Sequence, residues 1–294
     1  MILQTLHSHT GEFMETADSE TTQIIDLSAL RDGSQRKPRK ERVDLYEVSA
    51  DNMAGDSIPG LIRHHNEDNF ACCAKPDGHL SLAITADGIG GGEFGEIASF
   101  LCVSNMIREW RKFSAKYQDT VWETAQSFLT GSLERTNSLV YQYSCEKGVH
   151  MGTTVAAILF ADRYAVIANA GDSRVYRLRN NELEMLSTDH TPVAEALSRG
   201  EISLEEARRS PFRHTITRAI GVEETLVPQI RIVDHFPGDC YLLCTDGLTI
   251  HVPDEEIRQE MEACYDPVQC VDHLLRRALR GGAHDNVTII SIFA

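Results

Sequence analysis

Three carboxylates stand where an apolar run gives way to a turn: Asp87 in LSLAITADGIGGG, Asp246 in YLLCTDGLT and Asp285 in GGAHDNVTIISIF. Carboxylates carried to strand ends from distant parts of one chain suit hard divalent cations such as Mg2+ and Mn2+, which take shells of carboxylate, carbonyl and water oxygens. Upstream, Arg63-His64-His65-Asn66-Glu67-Asp68 places a guanidinium and two further acids just before a strand-like run. Alone, a charged cluster at a strand entrance is ordinarily a solvated one. Beside three metal-type aspartates it gains a purpose, because a guanidinium fork matches phosphate oxygens in pairs and extra acids orient waters around a metal from one layer further out. The chemistry indicated is metal-assisted hydrolysis of a phosphate ester.

Competing readings of the same residues fail on context. Gly90-x-Gly92-x-x-Gly95 matches the dinucleotide fingerprint in form, but that motif needs a second parallel strand ending in an acid about 20 residues on. Here the chain runs into RKFSAKYQD, which is no core strand. A P-loop is excluded because no Gly-Lys-Ser/Thr closes the turn. Asp189-His190 and His284-Asp285 invite comparison with helical His-Asp phosphohydrolases, yet Val287–Phe293 is β-branched and reads as a strand. Most of the eight cysteines lie in apolar runs and none forms a CxxC pair, so buried thiols in a reducing compartment are expected, with neither structural zinc nor a phosphocysteine route.

The elements that must carry these residues follow from pattern. At 294 residues, 42% hydrophobic, the chain fills one large core. A net charge of -16 argues against nucleic acid as a partner. No apolar run nears the roughly 20 residues of a spanning helix, and the first residues lack the basic flank and apolar core of a leader, so a cytoplasmic protein without a membrane partner is expected. Residues 1–43 read as an extension that closes in a basic linker, Arg31 to Arg42, and 44–294 as the catalytic domain. Strands are expected at 45–50, 69–74, 80–86, 154–160, 164–170, 175–178, 229–233, 241–245 and 287–293. Helices are expected around Ile97–Trp110, over 121–145 and from about Pro267. A polar flap lies at about 192–214. Strands in blocks and helices in pairs indicate an α+β fold with two packed antiparallel sheets.

Taken in order, RHHNED (Arg63–Asp68), ADGIGG (Ala86–Gly91), GTT (Gly152–Thr154), NAGDSR (Asn169–Arg174), Asp189-His190, TRAIG (Thr217–Gly221), TDGL (Thr245–Leu248) and DNV (Asp285–Val287) resemble the motif series of the metal-dependent, type-2C Ser/Thr protein phosphatases. The likeness runs from Leu45 to Ala294, and the flap wording GEISLEEARRSP resembles the bacterial branch. The resemblance implies an αββα sandwich with two Mn2+ or Mg2+ ions at one end of the sheets. By the same resemblance Asp87 bridges both ions, Gly88 offers its carbonyl, and Asp246 and Asp285 hold the first ion. Glu67 and Asp68 act through waters, Arg63 binds the substrate phosphate, and a hydroxide shared by the ions attacks phosphorus directly. The implied partners are phosphorylated proteins, substrates of a cognate Ser/Thr kinase, and the implied state is a monomer.

Two departures qualify that picture. Some relatives carry histidine where this chain has Ile89, which cannot donate a proton. The aspartate that helps bind a third ion is missing from Glu146–Met151, so a weak or absent third ion is expected. Asp172 in NAGDSR is read as a turn-former outside the site, and His64 and His65 as structural. A catalytically inactive phosphoprotein-binding relative would have lost a core aspartate or the arginine, and all are present. A metal phosphoesterase acting on small molecules is the third reading.

Overall fold

Alternation along the strands sorts apolar side chains onto two faces of each sheet. The computed structural model describes residues 52–75, 80–90, 94–117 and 121–294. The strands, in chain order, are β1 (Met53–Ile58), β2 (Asn69–Ala74), β3 (Leu80–Ala86), β4 (Gly88–Gly90), β5 (Met151–Thr153), β6 (Val155–Ala161), β7 (Tyr164–Ala170), β8 (Arg174–Arg179), β9 (Glu182–Met185), β10 (Gln229–Asp234), β11 (Cys240–Cys244) and β12 (Val287–Phe293). The helices are α1 (Phe94–Lys116), α2 (Trp122–Lys147), α3 (Pro192–Ser198), α4 (Leu204–Arg209), α5 (Asp246–Thr249), α6 (Asp254–Ala263) and α7 (Pro267–Arg280). One sheet has the order β1-β12-β11-β8-β9, a second β10-β7-β6-β3-β2, and β4 pairs with β5 in a short ribbon. All the pairings are antiparallel.

Three apolar layers result. On β3, Leu80, Leu82 and Ile84 pack with α1 and α2, while Ala83 turns to the other sheet. On β6, Val155, Ala157 and Leu159 face the helices and Ala156, Ile158 and Phe160 face inward. On β12, Val287 and Ile289 meet α6 and α7, and Ile290 and Ile292 point between the sheets. The order is therefore helix, sheet, sheet, helix: the αββα sandwich. α1 buries Ala98, Leu101, Cys102, Met106, Trp110 and Phe113, a stripe at helical spacing. α7 starts cleanly, with the Asp266 side chain accepting from Gln269 N and Pro267 in its first turn.

The expected strands at 69–74, 80–86, 164–170 and 287–293 occur as read. The strand expected at 154–160 runs one residue later because Thr154 turns its N–H to the Asp87 carbonyl, at 2.8 Å. The strand expected at 241–245 runs one residue earlier, since Thr245 caps α5. β1, β4, β5, β9 and α6 are additions. α6 buries only Ile257 and Met261 in an acidic stretch, too sparse a stripe to read from sequence. The strand expected at 45–50 and the extension over 1–43 lie outside the described residues. β3 lies between antiparallel β2 and β6, so no parallel dinucleotide-binding unit exists there, and Arg111–Lys116 belongs to α1. Asp189-His190 and His284-Asp285 lie in loops, unlike the helical pair of the His-Asp hydrolases.

Register brings seven strand ends to one edge of the sandwich. Asn69 opposes Ala86 and Val155 opposes Ala170 in one sheet; Ile58 opposes Val287 and Cys244 opposes Ile289 in the other. Asp68 and Asp87 adjoin these residues directly, while Asp246 follows Cys244, and Asp285 precedes Val287, with one residue between. Ile290, fully buried between the sheets, tests the layer that holds the two edges in line. Ile290→Ala is expected to cost about 2–5 kcal/mol in urea unfolding with an unchanged slope.

Candidate metal and phosphate site

Asp68 spans the gap between the sheets. It stands just before β2, and its Oδ2 accepts from the Thr245 hydroxyl at 2.9 Å and the Thr288 hydroxyl at 2.7 Å, both from the opposite sheet. Its other oxygen is buried without a hydrogen-bond partner. Thr288 also shares a hydroxyl contact with Ser57, 2.7 Å, and Ser57 accepts from Asn66 Nδ2 at 2.8 Å.

Asp87 follows β3 directly and is clamped through its backbone. Its N–H donates to Thr154 Oγ1 at 3.0 Å, while its carbonyl accepts from the Thr154 N–H and the Thr153 hydroxyl, each at 2.8 Å. Next to it the chain cannot carry a side chain. A Cβ on Gly88 would lie 2.2 Å from the Gly95 carbonyl oxygen and 2.6 Å from that of Glu67. The Gly88 N–H donates to that Glu67 carbonyl at 3.2 Å, so the first glycine of the motif and the acidic cluster are packed backbone to backbone.

Arg63, Glu67 and Asp285 come together around Asn286. Arg63 Nη2 donates to Asp285 Oδ2 at 2.8 Å in an exposed ion pair. Asn286 accepts from the Glu67 N–H at 2.8 Å and donates to the carbonyls of His65, 2.8 Å, and Pro59, 3.2 Å. The asparagine of the last motif thus holds the loop bearing Arg63 and Glu67 against Asp285. Sequence reading passed it over, although a buried polar residue between an acid and a β-branched run was a signal.

Asp172 and His214 also reach this edge. Asp172 is buried, with one carboxylate oxygen lacking a partner, and its charge acts on Asp87. It forms a turn, as read, but it also faces the aspartates. The apolar run VIANA ahead of it repeats the pattern that marked Asp87. His214, from the flap, sets Nδ1 3.9 Å from Asp246 Oδ2. The flap is closed at its base, where Thr217 N donates to His190 O at 2.8 Å and Ile220 exchanges two backbone bonds with Thr153. Beside that base Gly171, φ 110°, passes so near Thr154 that a Cβ would meet its side chain at 2.6 Å. Arg174 pairs bidentately with Asp189, Nε to Oδ1 3.0 Å and Nη2 to Oδ2 2.6 Å.

The electrostatic result is a cluster of acids held up in pKa. Burial, then the charges of Asp246 and Asp285, push Asp68 up to about 7 against the hydroxyls of Thr288 and Thr245. Burial, with Asp246 and Asp189, pushes Asp172 up to about 7. Burial and Asp285 push Asp246 up to about 6, although Asp87, Arg174 and Arg63 pull it down. Asp87 is held well above the usual range by burial and by Asp68, Asp246, Asp172 and Asp285. Burial likewise raises Glu67, offset by Arg63.

The residues present fit hard cations. The donors are all oxygens, and two buried carboxylate oxygens lack partners, as required where positive charge is to arrive. Among the described residues no three His, Cys, Asp or Glu side chains form a complete ion cage. A cation here would be held by few carboxylates, with water completing the shell, as Mg2+ prefers.

A protein-family model described as protein phosphatase 2C matches residues 63–280. The chain is 35% identical over 235 residues, covering 79% of it and 92% of the relative, to the serine/threonine phosphatase stp of Listeria monocytogenes serotype 4b. It is 33% identical over 231 residues to the protein phosphatase PhpP of Streptococcus pneumoniae serotype 2, covering 78% and 92%. Among solved structures, a serine/threonine phosphatase of Staphylococcus aureus superposes with a TM-score of 0.76 at 28% identity, over 84% of this chain and 96% of that one. The catalytic domain of the phosphatase PstP, solved in complex with two manganese ions, gives 0.69 at 33% identity, over 81% and 96%.

Raised carboxyl pKa values set the sign of a pH dependence. Between the usual aspartate value of 3.8 and about 7 the folded chain holds protons that the unfolded chain has lost. Stability without metal therefore falls as pH rises through that window. In thermal melts with EDTA, Tm is expected to drop from pH 5 to pH 7.5. At pH 7.5, Mn2+ at a hundred times its dissociation constant is expected to raise it by about 5–10 °C. A melt indifferent to both pH and Mn2+ would contradict the clustered charge.

Proposed function

Because the chain belongs to the protein phosphatase 2C family and is a metal-dependent protein-serine/threonine phosphatase, we propose that Arg63, Asp87, Gly88, Asp246 and Asp285, with Glu67 and Asp68 behind them, carry its reaction. Its cofactors are two Mn2+ or Mg2+ ions, and its substrates are phosphoserine and phosphothreonine in proteins. The observation that carries the assignment is the gathering of Asp68, Asp87, Asp246 and Asp285 within mutual electrostatic reach, beside an exposed arginine.

Asp87, the Gly88 carbonyl, Asp246 and Asp285 would hold the ions, and Glu67 and Asp68 would orient water around them. Bound there, such ions acidify water and neutralise the phosphoryl oxygens of an in-line displacement. Arg63 exchanges its exposed pairing with Asp285 for two oxygens of the substrate phosphate; an exposed ion pair is worth so little that the exchange is cheap. Asp87 is placed by its backbone clamp, which fixes its main chain at the end of β3. No thiol serves as nucleophile: Cys244, nearest the aspartates in sequence, faces the helical layer and burial pushes it up to about 12. The phosphoryl group would pass directly to water, and since Ile89 has no proton to give, the leaving alkoxide would take its proton from a metal-bound water or a nearby group.

The finer setting belongs to the same reading. Residues 1–43 are an extension and 44–294 the catalytic domain; the enzyme works as a cytoplasmic monomer against a cognate Ser/Thr kinase. No helix among the described residues is long and apolar enough to cross a membrane.

The test is hydrolysis of an aryl phosphate and a phosphothreonine peptide by purified protein with Mn2+. Asp87→Asn and Asp246→Asn are expected to lower kcat at least about a hundredfold, and Arg63→Ala to raise KM about tenfold. Asn286→Ala, which only loosens the Arg63 loop, is expected to lose about 10–100-fold. Equal rates in wild type and both aspartate variants would remove the assignment.

A further inference from the structure

The corner between α6 and α7 gathers thiols that phosphate chemistry does not use. Cys264 closes α6 and Cys270 lies in the first turns of α7, and both belong to the same buried cluster at that corner. Cys264 Sγ lies 3.7 Å from His273 Nδ1. The same nitrogen is 3.3 Å from Glu260 Oε2, and Glu260 Oε1 accepts from Arg277 Nε at 2.7 Å. A carboxylate held by arginine only accepts, so His273 Nδ1 carries the hydrogen and presents it to Glu260 and Cys264 together.

The two sulfurs are therefore unequal. Cys264 faces the imidazole of His273, 3.7 Å away, an environment that favours thiolate. The Cys270 thiol and His273 hold it below the ordinary thiol range, although burial, Glu260 and Asp266 oppose this. Cys270 is raised above that range, first by Cys264 and then by burial. Access differs in the same sense. Cys264 is 7% exposed and Cys270 0%, while Tyr265 beside Cys264 is 91% exposed. Buried Cys102 and Cys244 have no such neighbour; burial pushes both up to about 12.

We propose that Cys264 and Cys270 form a hydroperoxide-sensitive dithiol, in which Cys264, beside His273, is oxidised first and Cys270 then closes a disulfide joining the end of α6 to the start of α7. In the first step the Cys264 thiolate attacks the terminal peroxide oxygen. An S–O bond forms, the O–O bond breaks, and the leaving oxygen takes a proton to depart as water or alcohol. Cys264 becomes a sulfenic acid, having lost two electrons to the peroxide. Cys270 then attacks that sulfur: the S–S bond forms, the S–O bond breaks, and hydroxide leaves as water with the Cys270 proton. Two thiols and one hydroperoxide yield one disulfide, one water and one water or alcohol.

The experiment treats the full chain with equimolar hydrogen peroxide at pH 7, blocks remaining thiols with iodoacetamide and maps the peptides by mass spectrometry. The expected product is a Cys264–Cys270 disulfide, formed before modification of exposed Cys145. In Cys270→Ser, a dimedone adduct is expected on Cys264 instead. In His273→Phe, oxidation is expected to slow about tenfold, as a tenfold smaller thiolate fraction requires. Circular-dichroism melts of both variants establish that they are folded. A disulfide from Cys264 to Cys240, preferential oxidation of Cys145, or folded His273→Phe reacting at the wild-type rate would each overturn the proposal.

Discussion

The structure is organised around a repulsion. Aspartates next to β2, β3, β7, β11 and β12 converge where the two sheets meet, and four of them are buried deeply enough to resist ionisation. Two unit charges 4 Å apart in a protein-like dielectric repel by about 4 kcal/mol, so nothing local favours this assembly. It is imposed by strand register, which fixes the ends, and by the apolar layers that keep each register from slipping. Asp68, reaching across to Thr245 and Thr288, turns one of the offending charges into the tie between the sheets.

The conserved-looking words of the chain are mostly braces for that cluster and only partly its chemistry. The two threonines of GTT hold the backbone of Asp87, the glycine of NAGDSR gives Thr154 room, Asp189 holds Arg174, and Asn286 gathers the Arg63 loop. Short polar side chains satisfy backbone groups at chain reversals and leave no excess bulk. Glycine at 88 lets the acidic cluster lie flat on the Asp87 turn. Precision comes from rigid backbone placement, the condition under which a preorganised charge distribution works.

Much of this was readable in the residues. Asp87 and Asp246 announced themselves because apolar runs gave out just before them and Asp285 because one began just after it, and β3, β7 and β12 kept the boundaries their composition implied. Asp172 escaped because Gly-Asp-Ser accounts for itself as a turn; only burial shows that its second role faces the other acids. His214 escaped because its neighbourhood is made by a flap whose return path no local pattern encodes. β4 and β5 escaped since glycines carry no alternation. In each case the missing information was a contact between segments far apart in sequence, which periodicity does not record.

The base of the flap has a consequence for how such a protein diversifies. His190 and Thr217, with Thr153 and Ile220, seal the loop at its root, so the chain between them enters and leaves at fixed points. The entropy of closing such a loop grows only slowly with its length, and most of its surface is polar and outside the core. The segment can therefore be rewritten, lengthened or exchanged as a cassette while the aspartate cluster stays in register. The strand order that gathers the aspartates does not run through that segment.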